Sequence, residues 1–274
     1  MLTVRPRGKA ISEENSIRSI SRALAVLRAI NRSSALTLTE ISQAVDLPYP
    51  TALRIVRALV DEGVIEREPD RKRYRPTPLI LELAYGFQIH DKLVITARPH
   101  IIALTNQVHW PISIVTRVGN AMVVRDSTST QTPLTFNHYY PGWQVPLTVS
   151  ASGRAFLAHA GVEVRRQLVE HYKSIATSAE FATLKAFEVK GEAERIIENG
   201  YAAVARTGYS ANPGRTSSIA VPLFIGPDLA GTVTLVFFSA AMPLADAIGR
   251  FVDPLRRTAA AIGADMAKLP DDLT

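Results

Sequence analysis

The chain has 274 residues, with 31 Lys/Arg against 25 Asp/Glu, a net charge of +6, and no cysteine. That length suits two modest domains, and apolar and charged fractions of 47% and 20% exclude a globally disordered chain. Without cysteine there is no disulfide framework, thiol nucleophile or Cys-ligated metal, and the longest apolar stretch, Gly231–Met242, is too short to span a bilayer.

Residues 1–15 read as a flexible tail. Residues 1–77 hold 14 of the Lys/Arg and only 9 of the acids, so most of the positive excess sits in the first quarter. Such asymmetry points to a polyanion-binding module joined to a neutral one. Within 17–31, Ile17, Ile20, Leu24, Leu27 and Ile30 recur at helical spacing, with Arg18, Arg22, Arg28 and Arg32 around them. That spacing predicts an amphipathic helix with a basic outer face. Thr37-Leu-Thr-Glu40 is a capping box that opens a short helix over 38–45. Asp46-Leu47-Pro48 is the turn, and a third helix starts near Pro50 and stops at Gly63.

Val64–Glu68, the turn Pro69–Lys72 and Arg73–Arg75 then read as a β-hairpin with a basic tip. Two short helices joined by a tight turn behind a longer one, followed by such a hairpin, make a winged helix-turn-helix. In that fold the second helix of the motif enters the major groove of double-stranded DNA. Tyr49, Pro50, Thr51, Arg54 and Arg57 lie on or beside its groove-facing side, with Thr37 at the start of the preceding helix. Arg54 has the reach and donor geometry for a guanine edge or a phosphate, and Thr51 for a phosphate or a thymine methyl. Arg71, Lys72 and Arg73 on the wing are expected to follow phosphates or a minor groove.

Pro76-Thr-Pro78 breaks the wing and starts an apolar linker helix carrying Leu79, Leu81, Leu83, Ala84 and Phe87. So apolar a helix is expected to pack against a partner subunit as well as to bridge the domains, the alternative being burial within its own subunit. A second helix follows over 93–108, with Pro99 inside it. From Trp110 the pattern changes to strands, at 112–118, 122–125 and 134–137, the first two around Gly119-Asn120. Helices are predicted over 150–160, 164–172, 182–199 and 246–268, and strands over 219–224 and 231–238. Strand hairpins among helices, with no parallel βαβ signature, indicate an α+β domain around an antiparallel sheet.

The chain resembles the IclR family of transcriptional regulators. Ser19-Ile-Ser-Arg-Ala-Leu-Ala-Val-Leu, Leu38-Thr-Glu-Ile-Ser, Pro50-Thr-Ala-Leu-Arg54 and Glu62-Gly-Val-Ile carry the likeness in the first module. Ala97-Arg-Pro-His100, Ala151-Ser-Gly-Arg-Ala-Phe-Leu-Ala158, Gly200-Tyr201 and Ile219-Ala-Val-Pro222 continue it to about residue 268. The stretches Trp110-Pro111, Met122-Val-Val-Arg125 and Phe136-Asn-His138 are similar to regulators of phenylpropionate-type aromatic acid degradation. The resemblance implies a winged helix-turn-helix over 16–78 and a linker helix over 79–92. It further implies a GAF-like effector-binding and oligomerisation domain over 93–270, in a homodimer or a dimer of dimers. DNA, a small organic acid and RNA polymerase are the partners it implies.

By the same resemblance the effector pocket falls at Ala151, Ser152 and Gly153, at Leu134 and Phe136, at Ser218, and at Val236 and Phe238. The Ser150–Arg154 turn into a helix offers free amides and a positive dipole end, suited to a carboxylate. Many members carry acidic residues after the Gly-Tyr pair. This chain has none from Gly200 to Thr207 and offers Arg206. That departs from a short oxoacid effector, and Phe136 and Phe238 with Ser218 better suit an aromatic acid, with Arg206 or Arg125 as charge partner.

No cofactor, metal or catalytic activity is expected. P-loop, GxGxxG, HExxH and GxSxG patterns are absent, and no two histidines stand four apart. Ser150 and Ser152 with His138 could be drawn as nucleophile and base, but serines at helix starts ordinarily act as caps. Two other classes stay open on the residues alone: a protein-interaction scaffold, and a small-molecule enzyme with a nucleic-acid anchor. The start, MLTVRPRGKAISEEN, has no apolar core behind its basic residues, so a cytoplasmic protein without a membrane partner is expected.

Overall fold

The structure is a computed structural model that describes residues 9–33, 35–89, 91–119, 121–135, 139–175, 184–185, 191–208 and 214–269. The chain divides into two compact units, Met1–His90 and Asp91–Thr274.

In the first unit, α1 spans Lys9–Ser33, α2 Leu38–Ala44 and α3 Tyr49–Asp61. Helix α1 starts upstream of the stretch marked by apolar spacing. Its first turns hold Ala10, Glu13 and Glu14, good helix formers that carry no periodic signal. Val26 and Ile30 of α1, Leu38 and Ile41 of α2, and Ala52 and Val56 of α3 close one core. Helix α2 begins with the expected capping box. The Glu40 amide donates to Thr37 Oγ1 at 3.3 Å, and the Thr37 amide donates to Glu40 Oε2 at 2.7 Å.

These contacts, led by the Thr37 amide, hold the Glu40 carboxyl below the usual carboxylate range. A lowered folded-state value means the box contributes fully above the ordinary pKa and is lost as pH falls through the lowered one. Thr37→Ala removes the hydroxyl half of the box. Chemical denaturation is expected to show a loss of about 1 kcal/mol for this unit.

The wing is β2 (Ile65–Arg67) against β3 (Arg73–Pro76), and β1 (Leu36–Thr37) adds a third strand by pairing Leu36 with Tyr74. Gly63 takes φ +73° at the end of α3, where a side chain would be strained. Thr77 Oγ1 donates to its carbonyl at 2.6 Å and sets the wing's base. Helix α4, Ile80–Ile89, follows, and Leu79, Leu81 and Leu83 at its start are exposed.

The second unit holds α5 (Lys92–Val108), β4 (Ile112–Val118), β5 (Ala121–Ser127), β6 (Gln144–Val145), α6 (Ala151–His159) and α7 (Val162–Ile175). Then come α8 (Glu192–Asn199), β7 (Ala202–Val204), β8 (Thr216–Ile225), β9 (Asp228–Phe238) and α9 (Leu244–Met266). The six strands make one antiparallel sheet in the order β6-β5-β4-β9-β8-β7. One face carries Ile112, Ile114, Ile219 and Leu235 against Ile101 of α5 and Leu255 of α9. Val115, next along β4, lies on the other face by ordinary alternation, and a bulge in β5 shifts the register there from Ile114–Asp126 to Val115–Val124. On that other face Met122, Val124 and Ala220 meet Ala151 and Ala155 of α6, with α7 and α8 behind.

Two expectations need correction. A continuous helix over 182–199 is interrupted, since Gly191 takes φ +63° and α8 starts only at Glu192. A left-handed residue cannot continue a right-handed helix. Residues 182–183 and 186–190 lie outside the described residues. The strand expected over 134–137 is a bend and coil at Leu134 and Thr135. There Thr132 Oγ1 accepts the Leu134 amide at 3.1 Å, so that amide is taken by a local turn. Phe136, Asn137 and His138 lie outside the described residues.

Candidate nucleic-acid interface and ligand site

Helix α3 buries Ala52 and Val56 completely, which turns Tyr49, Pro50, Arg54 and Arg57 outward and leaves Thr51 half-buried. Proline in the first turn suits the start of such a helix, where amides have no internal partner. Thr51, Arg54 and Arg57 line one cleft of about 720 Å³ together with Ser19 and Arg22 of α1. Arg22 belongs to the basic face of the first helix, yet helical spacing alone did not place it beside α3.

On the wing, Arg71 and Lys72 are exposed at the tip and make no ion pair among the described residues. Arg73 is half-buried and faces Glu40 at 3.7 Å. Its charge is thus shared with the capping box. The Thr37 hydroxyl, also expected near DNA, accepts from the Glu40 amide and donates to Glu40 Oε2 at 2.9 Å.

In the second unit α6 opens with Ser150 as its cap, whose Oγ accepts the Gly153 amide at 2.9 Å and meets Ser152 Oγ at 3.2 Å. That is the capping role. Ala151, Ser152 and Gly153 are all buried on the α6 side of the sheet. Gly153 is required, because a β-carbon there would strike the carbonyl of Leu147. Arg154 points away, its Nε donating to the Thr148 carbonyl at 3.2 Å and its guanidinium pairing with Glu192 at 2.9 Å.

Ser218 pairs directly with Val236, and directly paired residues share a face. Val236 packs in the α6 cluster, so both belong to the α6 face. The side-chain hydroxyls of Thr148, Thr207, Thr216 and Ser218 are buried without a hydrogen-bond partner among the described residues. A buried hydroxyl left unpaired costs about 1–3 kcal/mol, so each of them is a point where water or a polar ligand completes the bonding. Thr148, Thr207 and Thr216 were missed in the sequence, where a threonine in a strand or loop carries no signal of its own.

The remaining expected ligand residues are not gathered at α6. Leu134 packs on the α5 and α9 side and lines a separate cleft with Thr105, Asn106 and His109. Phe238 also packs on that side and meets Trp110 edge-on at 5.3 Å. It lines a cleft with Arg206 and Arg215 at the ends of β8 and β9. Arg125 is already engaged: it donates to Asp91 at 2.8 Å and to Thr116 at 3.2 Å. Among the described residues no helix is long and apolar enough to cross a membrane, and no cluster of side chains could hold a metal ion.

Comparison with known proteins places these parts. The IclR helix-turn-helix domain matches residues 19–69, and the C-terminal domain of the bacterial transcriptional regulator IclR matches residues 89–264. A curated relative, the HTH-type transcriptional regulator BhcR of Paracoccus denitrificans, is 30% identical over 171 residues. The match covers 61% of this chain, and the chain spans 61% of that relative's length. An IclR-family regulator from Brucella abortus has the same fold, with a TM-score of 0.66, 20% identity, and coverage of 98% of this chain and 100% of that one. So does an IclR homologue from Microbacterium hydrocarbonoxydans complexed with 4-hydroxybenzoate, with a TM-score of 0.66, 24% identity, and coverage of 90% and 98%. With both of its halves matched in order, this chain belongs to the IclR family.

Proposed function

We propose that this chain is a sequence-specific DNA-binding transcriptional regulator whose operator binding or promoter output responds to a small aromatic acid. The observation that carries the first part is the exposed Tyr49, Arg54 and Arg57 with half-buried Thr51 on α3, beside a wing tip whose Arg71 and Lys72 make no ion pair among the described residues. A basic helix of this kind matches the width and donor–acceptor pattern of a major groove, and the wing cations match phosphates. Residues 16–78 are assigned to DNA binding, 79–92 to the linker, and 93–270 to effector binding and self-association. The exposed leucines at the start of α4 support a homodimer or a dimer of dimers. Two-fold symmetric subunits read paired half-sites. RNA polymerase is the further partner of such a regulator, and the cytoplasm its place.

The effector reading rests on Ala151, Ser152 and Gly153 beside Ser218 and Val236, together with the unpaired buried hydroxyls. Its aromatic character is supported by the 4-hydroxybenzoate held by the Microbacterium homologue. Binding changes transcription through the two-state rule. The acid must favour one arrangement of the subunits over another, since equal affinity for both shifts nothing.

The direct experiment is a fluorescence-anisotropy titration against the DNA upstream of the protein's own gene, with unrelated DNA as competitor. Preference for the upstream fragment is expected. Equal binding to both would reduce the first unit to a charged patch, and no binding at low salt would favour a protein-interaction module. Lys72→Ala in the same assay should weaken both DNAs equally and reduce the slope of log K against log salt by about 1. Loss of preference for one sequence alone would contradict a phosphate role for Lys72.

A further inference from the structure

We infer that Arg125 and Asp126 are positioning residues that tie the start of α5, where the linker enters the second unit, to a strand that faces α6, so that ligand binding reaches the linker through them. The inference rests on the aromatic-acid reading above and names the residues that carry the response to that acid. Asp91, the first residue of the second unit, is buried, and its Oδ2 accepts from Arg125 Nη2 at 2.8 Å. Arg98, two turns further along α5, donates from Nη1 to both carboxylate oxygens of Asp126, at 3.0 and 2.9 Å. Residues seven apart on a helix share a face, so the two ion pairs fasten one side of α5 to β5. Arg125 and Asp126 are neighbours in β5, and regular alternation would send them to opposite faces of the sheet. The bulge brings both to the α5 face. Asp126 pairs with Ile114, which packs in the α5 cluster, and Arg125 Nη1 donates at 3.2 Å to Thr116 Oγ1, two residues along from Ile114. Bulges commonly re-aim a side chain in this way beside a functional site.

Little else holds the first turn of α5. Residues 92–96 are half-buried or exposed, and the fully buried apolar anchors begin at Ala97 and Ile101. Asp91 also caps the helix, its Oδ1 accepting the Val94 amide at 3.2 Å. One carboxylate thus fixes both the helix start and its attachment to the sheet. Helix α4 ends two residues before Asp91, so a shift of this turn moves the end of the linker. On the strand side, Met122 and Val124 of β5 pack on the opposite face, in one cluster with Ala151 of α6. Asp126 accepts the Ser127 amide at 2.8 Å, and Ser127 Oγ accepts from Ser113 Oγ at 3.0 Å. Strand β6 pairs only with Met122 and Val123, so among the described residues no strand flanks the outer side of β5 from Arg125 onward. A strand end that is bulged and paired on one side can shift without breaking the sheet. A buried ion pair adds little net stability over an apolar pair, but it accepts one arrangement and opposes others. Coupling between a ligand site and a linker needs such an element, one whose arrangement both ends bias.

The test uses the full chain and the DNA upstream of its gene, with benzoate and its three monohydroxy derivatives as probe acids. Calorimetry reads acid binding, and anisotropy reads DNA binding with and without saturating acid. In the natural protein the acid that binds best is expected to change DNA affinity at least about fivefold, the lower end for coupled sites. The double variant Asp91→Asn/Arg125→Gln keeps a capping side chain at 91 and leaves no charge of this pair unpaired. It should bind the same acid within about threefold of the natural protein, yet change its DNA affinity by less than about twofold. Arg125→Lys, which keeps the charge without the planar fork, should fall between the two. Melting temperatures check that both variants are folded, and a purely bracing role would lower them while leaving the response to acid intact. A response that persists in the double variant overturns the inference. Loss of acid binding there overturns it too, because Arg125 would then be a contact to the ligand. If an acid binds the natural protein but DNA affinity never responds, the inference falls while acid binding stands. If none of the acids binds, the aromatic-acid reading falls, and hydrogen exchange decides the tether by itself. Peptides over residues 80–96 should exchange faster in the double variant, and unchanged exchange would overturn the tether.

Discussion

Replacing Arg54 by alanine is expected to weaken binding to the upstream DNA by about tenfold to 100-fold, the range for losing one side chain that reads a base edge. The local structure makes this a clean experiment. Ala52 and Val56 fix α3 in the core with no exposure, and Arg54 leaves the helix on the open side. It makes no ion pair among the described residues, so its removal strands no buried charge. A surface truncation of this kind changes stability within about 0.5 kcal/mol, and the melting temperature should stay where it was. Binding to unrelated DNA separates two roles for the side chain. A base contact costs affinity for the upstream fragment and spares the competitor, while a phosphate contact costs both equally. Unchanged affinity for both DNAs would remove α3 from the interface and with it the regulator reading. Arg57, one turn further along the same helix, is expected to show the smaller and less sequence-dependent loss, because the first turns of a recognition helix lie deepest in the groove.

What the sequence made legible was whatever is local. The capping box at Thr37 and Glu40, the stop at Gly63 and the basic hairpin each depend on residues a few positions apart, and each is present. Strands β1, β6 and β7 were not legible, because two or three residues hold no alternation to read. They exist through distant partners, as when Leu36 pairs with Tyr74. Gly191 shows a different limit. The charged and apolar pattern runs helical on both sides of it, and only its positive φ marks a cap. Electrostatic roles were the least legible. Arg125 is a plausible charge for a ligand when read alone, yet tertiary structure gives it to Asp91, and gives Arg98 to Asp126 at 2.9 Å. Arg206 and Arg215 border one cleft because β8 and the segment after β7 run side by side, and no spacing rule predicts that.

Gly153→Ala carries the largest expected effect on the second unit. The added methyl would be driven into the Leu147 carbonyl, a backbone atom that cannot rotate aside as a side chain can. Leu147 has no room to retreat, since its own side chain is fully buried in the α6 cluster. Moving residue 153 outward breaks the bond from its amide to Ser150 Oγ. Turning the helix start strains the grip of Arg154 on the Thr148 carbonyl and on Glu192. With each route of relief opposed, the cost is expected near 3 kcal/mol, the upper part of the range for an overpacked core. A cost of that size should lower the melting temperature of this unit by roughly 6–12 °C. Aromatic-acid binding should fall by more than about tenfold in the same variant, because the amides of this helix start and the threonine before it are displaced together. Gly161→Ala is the matching control. Its added methyl meets nothing within 4 Å, so binding should not move, and stability should change only by the loss of a glycine at the start of α7, about 0.5–1 kcal/mol. If Gly153→Ala melts with the natural protein, the close approach of Leu147 to α6 is not a constraint. Lost binding with an unchanged melt would instead make Gly153 a contact to the ligand itself.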